Sequence, residues 1–259
     1  MTQIIAVSNQ KGGVGKTTTA VNLSASVAVA GYRSLLIDLD PQRNASTSLS
    51  IKNTRNNIYS ALTDKIPVRE VIHETSIRNL AIIPSIEDLA ALEFEISHAS
   101  MREQYLKNCL AGSIDDFEFV FIDCPPSFSV LSLNAWVCAN YVLIPLQCEY
   151  YALEGLVSLL NNVLRIKRTF NKGFEVSGII LTMYDKRSSL SQQIEADARK
   201  NLGGKVFRTV IPRNIKIAEA PSHGKPVLLY DIRCPGTLAY LDLAAEFLKK
   251  HEKGGRDHV

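Results

Sequence analysis

An apolar run, IIAVSN (4–9), passes without a break into QKGGVGKTTTA (10–20), and this junction limits the chain to few folds. Glycines at 12, 13 and 15 let backbone N–H groups approach phosphate oxygens. A helix opening at Thr17 would add its N-terminus, carrying roughly half a positive charge, at the same point. Strand, glycine loop and helix in that order are the context expected of a phosphate-binding loop. Lys16 is then placed to reach the β- and γ-phosphates, the Thr17 hydroxyl to ligate Mg²⁺, and Thr18 to contact the α-phosphate. The run departs from G-x-x-x-x-G-K-[ST] at one position, where Lys11 replaces the first glycine. A turn that binds nothing would account for Gly12, Gly13 and Gly15, but not for the whole run from Lys11 through Val14 to Thr18.

Further apolar runs rich in β-branched residues occur at 34–40, 80–85, 117–125, 141–147 and 176–184, and each reads as a buried strand. Helix-like segments lie between and after them, at 17–30, about 86–112, 130–139, 152–170, 188–201 and 236–253. The alternation predicts an α/β chain, P-loop NTPase-like, with a mostly parallel twisted sheet and helices on both faces. At 259 residues, 46% of them hydrophobic, the chain can bury the core of one such domain, expected over 1–253 with a polar tail at 254–259. No stretch approaches the roughly 18 apolar residues of a membrane span, and the first residues read as a strand rather than a signal peptide, so a cytoplasmic protein is expected. The five cysteines form no C-x-x-C or Cys/His cluster, which argues against a metal or disulfide framework.

In a parallel sheet, strand ends gather at one edge, where ligands bind. Asp38 and Asp40 close LIDLDPQ, and Asp123 closes FVFIDCPP, so three carboxylates are expected beside the phosphate loop. Each taken alone is also compatible with a cap or a turn. Charge is uneven: Lys and Arg number 11 against 15 Asp and Glu in residues 1–150, and 18 against 11 in 151–259. A basic second half suits a nucleic-acid surface, and equally a solvated face. Its Lys and Arg residues have almost no aromatic residues among them, which favours phosphate contacts to duplex DNA over base stacking.

Taken in order, KGGVGKTTTAVNL (11–23), IDLDPQ (37–42), FIDCPPS (121–127), QCEYYALEGL (147–156), TVIPRN (209–214) and EAPSHGKP (219–226) resemble the ParA partition ATPases of the deviant Walker A group, specifically the short chromosomal Soj type. The likeness runs over roughly residues 3–250. It implies an ATP-dependent homodimer that sandwiches two nucleotides, with Lys11 crossing to the partner's phosphates and Asp40 orienting or activating the attacking water. It implies Asp38 and Asp123 near Mg²⁺, and Pro212, Asn214 and Met183 near the adenine. It also implies nonspecific double-stranded DNA as a partner of the ATP dimer, through a basic position matching Arg187; Arg213, in the same basic half, is a second candidate. Weak basal hydrolysis, stimulated by a ParB-like partner protein, and association with the nucleoid in the ATP-bound form complete the expectation. One departure stands out: DPQRN (40–44) occurs where the resemblance leads one to expect DPQGN, so Arg43 either alters that turn or points to solvent.

Other readings remain. A MinD-like membrane-cycling ATPase would carry a C-terminal amphipathic helix, which HEKGGRDHV (251–259) does not provide. An iron–sulfur reductase of the superfamily would use Cys124, but DCPPS is equally how partition proteins read. A metabolic ligase activating a carboxylate with ATP would turn over without DNA or a protein partner. No segment resembling a helix-turn-helix precedes the phosphate loop, so sequence-specific autorepression is not expected.

Overall fold

The computed structural model describes residues 2–52, 54–63, 66–96, 99–150 and 152–254. Seven strands form one sheet: β1 (Gln3–Val7), β2 (Ser34–Asp38), β3 (His73–Glu74), β4 (Leu80–Ile83), β5 (Phe119–Asp123), β6 (Tyr141–Gln147) and β7 (Glu175–Thr182). Their order is β3-β4-β2-β5-β1-β6-β7, and every pairing is parallel except that of the two-residue edge strand β3 with β4. The helices are α1 (Lys16–Val29), α2 (Asn44–Ser48), α3 (Ile58–Thr63), α4 (Leu89–Glu95), α5 (Tyr105–Leu110), α6 (Val130–Cys138), α7 (Ala152–Thr169), α8 (Ser189–Leu202), α9 (Ile215–Glu219), α10 (Val227–Tyr230) and α11 (Pro235–Gly254).

Every residue of β2 (SLLID) and β5 (FVFID) is buried, which requires cover on both faces of the sheet. Successive side chains alternate between two core layers. Leu35, Ile37, Val120, Ile122 and Ile144 face α3 to α8, where Trp136 and Phe174 are wholly buried. Ile5, Val7, Leu36, Phe121 and Leu143 face α1, α2 and α9 to α11, with Leu23, Tyr240 and Phe247 at the centre. Strand order reverses about β1, with β5 on one side and β6 on the other, so the loop after β1 opens at the switch point of the sheet.

Strands foreseen to 40, 125 and 184 end earlier, at Asp38, Asp123 and Thr182, because the following residues turn into the loops at the sheet edge. The long helix expected over 86–112 is interrupted. α4 stops at Glu95, Met101 takes a left-handed conformation (φ 55°), and a single 3₁₀ turn leads into α5. The closing helix runs to Gly254, and residues 255–259 of the expected polar tail lie outside the described residues. Among the described residues no helix is long and apolar enough to cross a membrane.

Candidate active site

The loop after β1 is held at both ends. Ser8 N–H donates to the Leu143 carbonyl at 3.0 Å, the buried Asn9 amide donates to Pro145 O at 2.7 Å, and Asn9 Oδ1 accepts Lys11 N–H at 3.1 Å. On the far side the Thr182 hydroxyl donates to Val14 O at 2.8 Å. Gly13 (φ 74°) and Gly15 (φ 89°) adopt left-handed conformations, which only glycine takes without strain. Gly15 is followed at once by α1, whose first amides have no intrahelical acceptor and no side-chain cap. Those free N–H groups and the helix dipole make an anion cradle. Lys16, only 7% exposed, rests its ammonium on the Lys11 carbonyl at 2.9 Å. Burial lowers its pKa, opposed by the charges of Asp123 and Asp40.

Asp38 and Asp123 are register partners across β2 and β5, and both are fully buried. Asp38 Oδ2 accepts the Ser46 N–H at 2.7 Å and the Ser46 hydroxyl at 2.6 Å, and Oδ1 accepts Asp40 N–H at 3.2 Å. Burial still pushes Asp38 up to about 6, with Asp40 adding to the rise. Asp123 differs, since neither of its oxygens has a hydrogen bond of acceptable geometry. Burial and then the charge of Asp38 hold it well above the usual carboxylate range, eased by the nearby Thr17 hydroxyl and Lys16 ammonium. A buried carboxylate with two unpartnered oxygens next to a helix-initial threonine fits a small divalent cation with oxygen ligands. Among the described residues no group of three or more His, Cys, Asp or Glu surrounds a common metal position. Mg²⁺ does not require one, because it is commonly held by one or two protein groups together with phosphates and water.

A cavity of about 360 Å³ opens beside the loop, lined by Gly15, Thr18, Met183, Pro212, Asn214 and Ile217 among others. The three residues foreseen near an adenine are therefore neighbours, although Met183 lies some thirty residues before the other two. Met183 has φ 51°, and Asn214 caps α9 by accepting Lys216 N–H at 2.9 Å. Ile217 and Tyr240 also wall this cavity, and the motifs contain no signal for either.

Lys11 stands apart from the cradle. It is half exposed and forms an ion pair with Glu149. Arg187 and Arg213 share a second, open groove of about 850 Å³ with Lys186 and Arg208. Arg187 is 91% exposed, and its guanidinium grips Asp185 through two contacts of 3.1 Å. Other basic residues of the second half are engaged locally: Lys167 with Glu175, Arg199 with Glu195, and Lys216 with Glu219. Arg43 does not simply point to solvent, since its Nε donates to Ser85 O at 3.2 Å.

Comparison with known proteins follows the same lines. The family described as "AAA domain" matches residues 2–176. The chain is 46% identical over 252 residues to the chromosome partitioning protein ParA of Caulobacter vibrioides, covering 96% of this chain and 94% of that one. It is 46% identical over 248 residues to the sporulation initiation inhibitor protein Soj of Bacillus subtilis, covering 95% and 98%. Among solved structures, cobyrinic acid a,c-diamide synthase from Mycobacterium smegmatis with bound ADP and magnesium superimposes with a TM-score of 0.85 at 32% identity, covering 99% of this chain and 97% of that one.

Proposed function

The chain belongs to the ParA/Soj family of chromosome-partitioning ATPases, and from that premise we propose that it is an ATP-driven DNA-partitioning switch working as one domain over residues 1–253. The observation that carries the reading is a convergence at one sheet edge. The free amides opening α1, the unpartnered carboxylate of Asp123 and the cavity lined by Met183, Pro212 and Asn214 together suit a nucleotide with its cation.

In this reading Gly12, Gly13, Val14 and Gly15 wrap the phosphates with backbone N–H groups, and Thr18 meets the α-phosphate. Lys16 leaves the Lys11 carbonyl for the β- and γ-oxygens, a short move for a buried ammonium already at the loop. Thr17 and Asp123 would hold Mg²⁺, and Asp38, occupied by Ser46, would set the position of that pair. The cation supplies charge neutralisation on the phosphate oxygens. Asp40 orients water for attack on the γ-phosphorus. A new P–O bond forms, the bond to the β,γ-bridging oxygen breaks, its electron pair leaves with ADP, and the water proton passes to the phosphate product. Lys11 from the partner subunit supplies a further cation, so hydrolysis requires a dimer.

The dimer in turn would place two grooves bearing Arg187 and Arg213 on one duplex, and two weak footprints would then bind as one. Contacts to phosphates make that binding indifferent to sequence. A ParB-like partner would speed hydrolysis and reset the switch to monomer. ATPase rates with and without duplex DNA and the cognate partner test this: a low basal rate that rises with both is expected. Steady turnover that neither addition changes would favour a metabolic ligase; the Mycobacterium smegmatis structure of this fold is named a cobyrinic acid a,c-diamide synthase.

A further inference from the structure

Arg43 adopts φ 59°, ψ 25°, a left-handed conformation that is costly for a side chain of its kind. Its side chain makes a contact that can offset part of that cost. Arg43 Nε donates to the Ser85 carbonyl at 3.2 Å, in the loop following β4. That bond closes a ring. Ser85 N–H donates to Ser46 Oγ at 3.0 Å, and Ser46 donates to Asp38 Oδ2 from both its hydroxyl and its amide. Asp38 Oδ1 accepts Asp40 N–H at 3.2 Å, and Asp40 O accepts Arg43 N–H at 2.9 Å, which returns the ring to Arg43.

Every other link uses backbone groups, the Asp38 carboxylate or the Ser46 hydroxyl. The bond between Arg43 and Ser85 alone depends on the side chain at 43. Without it the loop after β4 still holds this segment through the Ser85 N–H to Ser46 Oγ bond, but not at the turn from Asp40 to Arg43 itself. The same turn also anchors the aspartate directly: Asp40 Oδ1 accepts Gln42 N–H at 2.9 Å. We infer that Arg43 is a positioning residue for hydrolysis, clamping the turn that bears Asp40 to the loop after β4. This rests on the reading of Asp40 as the water-orienting group.

The test compares kcat, KM and equilibrium ATP affinity for the parent, Arg43→Gly, Arg43→Lys and Asp40→Ala, with hydrogen exchange followed over residues 40–50. Arg43→Gly removes the clamp and also relieves the left-handed backbone, so its thermal midpoint stays close to the parent's. Its kcat is expected to fall on the order of 10-fold with ATP affinity unchanged, and its 40–50 amides to exchange faster. Arg43→Lys retains a donor able to reach Ser85 O and recovers part of the rate. A purely structural arginine would lower stability and turnover together, with no split between kcat and ATP affinity, and that result would overturn the inference. So would an Arg43→Gly rate equal to the parent's when Asp40→Ala is inactive. A parental rate in Asp40→Ala would overturn both the inference and the reading beneath it.

Discussion

Lys11 and Glu149 form an ion pair within one chain, joining the phosphate loop to the segment that precedes α7. Lys11 is thus engaged outside its own cradle, while the Lys16 ammonium rests on the Lys11 carbonyl within it. Lys11→Ala is therefore expected to bind ATP normally yet form no ATP-dependent dimer, with hydrolysis reduced on the order of 10³-fold. Both partners of the pair are substantially exposed, so folding stability should change by no more than about 1 kcal/mol. Sedimentation with ATP and Mg²⁺ checks this, and an ATP-dependent dimer of the variant would remove the trans-acting role of Lys11.

Lys16→Ala is expected to fail one step earlier. The buried ammonium is the chief cation of the cradle, and its loss should weaken ATP binding by roughly 2–3 kcal/mol, on the order of 10²-fold. Dimerisation and DNA binding would be lost with it. Calorimetric titration showing parental ATP affinity would overturn the phosphate-loop assignment.

Arg187→Ala should weaken binding to all duplexes alike. Affinity is expected to fall with salt at a log–log slope of about −0.9 per phosphate neutralised, and the variant's slope to be shallower by roughly one. ATP binding and dimerisation should be untouched. Titrations on two unrelated duplexes at several salt concentrations read this directly; an unchanged slope would leave Arg187 as a surface residue paired with Asp185.

His251 gives a pH dependence that is independent of the active site. Its ring lies between the Ser177 hydroxyl and Gln3, against Phe119, Tyr141 and Phe247. Burial, with a smaller push from Lys250, lowers its pKa from 6.5 to about 4. The unfolded chain therefore binds a proton that the folded one refuses. The neutral ring's contribution is complete above the unfolded value of 6.5, and is lost as pH falls from there toward 4, by up to about 3 kcal/mol. Urea unfolding of the parent and His251→Gln at pH 7.5, 6, 5 and 4 should show the parent's extra loss in that window. Parallel curves would contradict it.

What was legible from sequence was chiefly what lies within a few residues along the chain. The phosphate loop, the helix after it and the carboxylates at two strand ends follow from local chemistry and the direction of a parallel sheet. Met183, Pro212 and Asn214 were reached only through family resemblance, because the cavity they share is made by α9, α11 and the end of β7 coming together. Ser46 on Asp38, Glu149 on Lys11 and Ser85 on Arg43 are tertiary contacts with no spacing rule to reveal them. α2, α9 and α10, of four or five residues each, are too short to show a helical period. Charge counts make the second half basic, but could not show that Lys167, Arg199 and Lys216 are each matched by a neighbouring carboxylate.

The most direct measurement is sedimentation of Asp40→Ala with duplex DNA in the presence of ATP and Mg²⁺, ADP and Mg²⁺, or no nucleotide. Asp40 lies on the clamped turn beside the cradle, and its removal should spare ATP binding while blocking the step that ends the ATP state. A dimer that forms only with ATP, stays on DNA and persists for many parental turnover times is the expected result. A variant that remains monomeric with ATP, or that binds DNA equally well with ADP, would contradict an ATP-driven DNA switch.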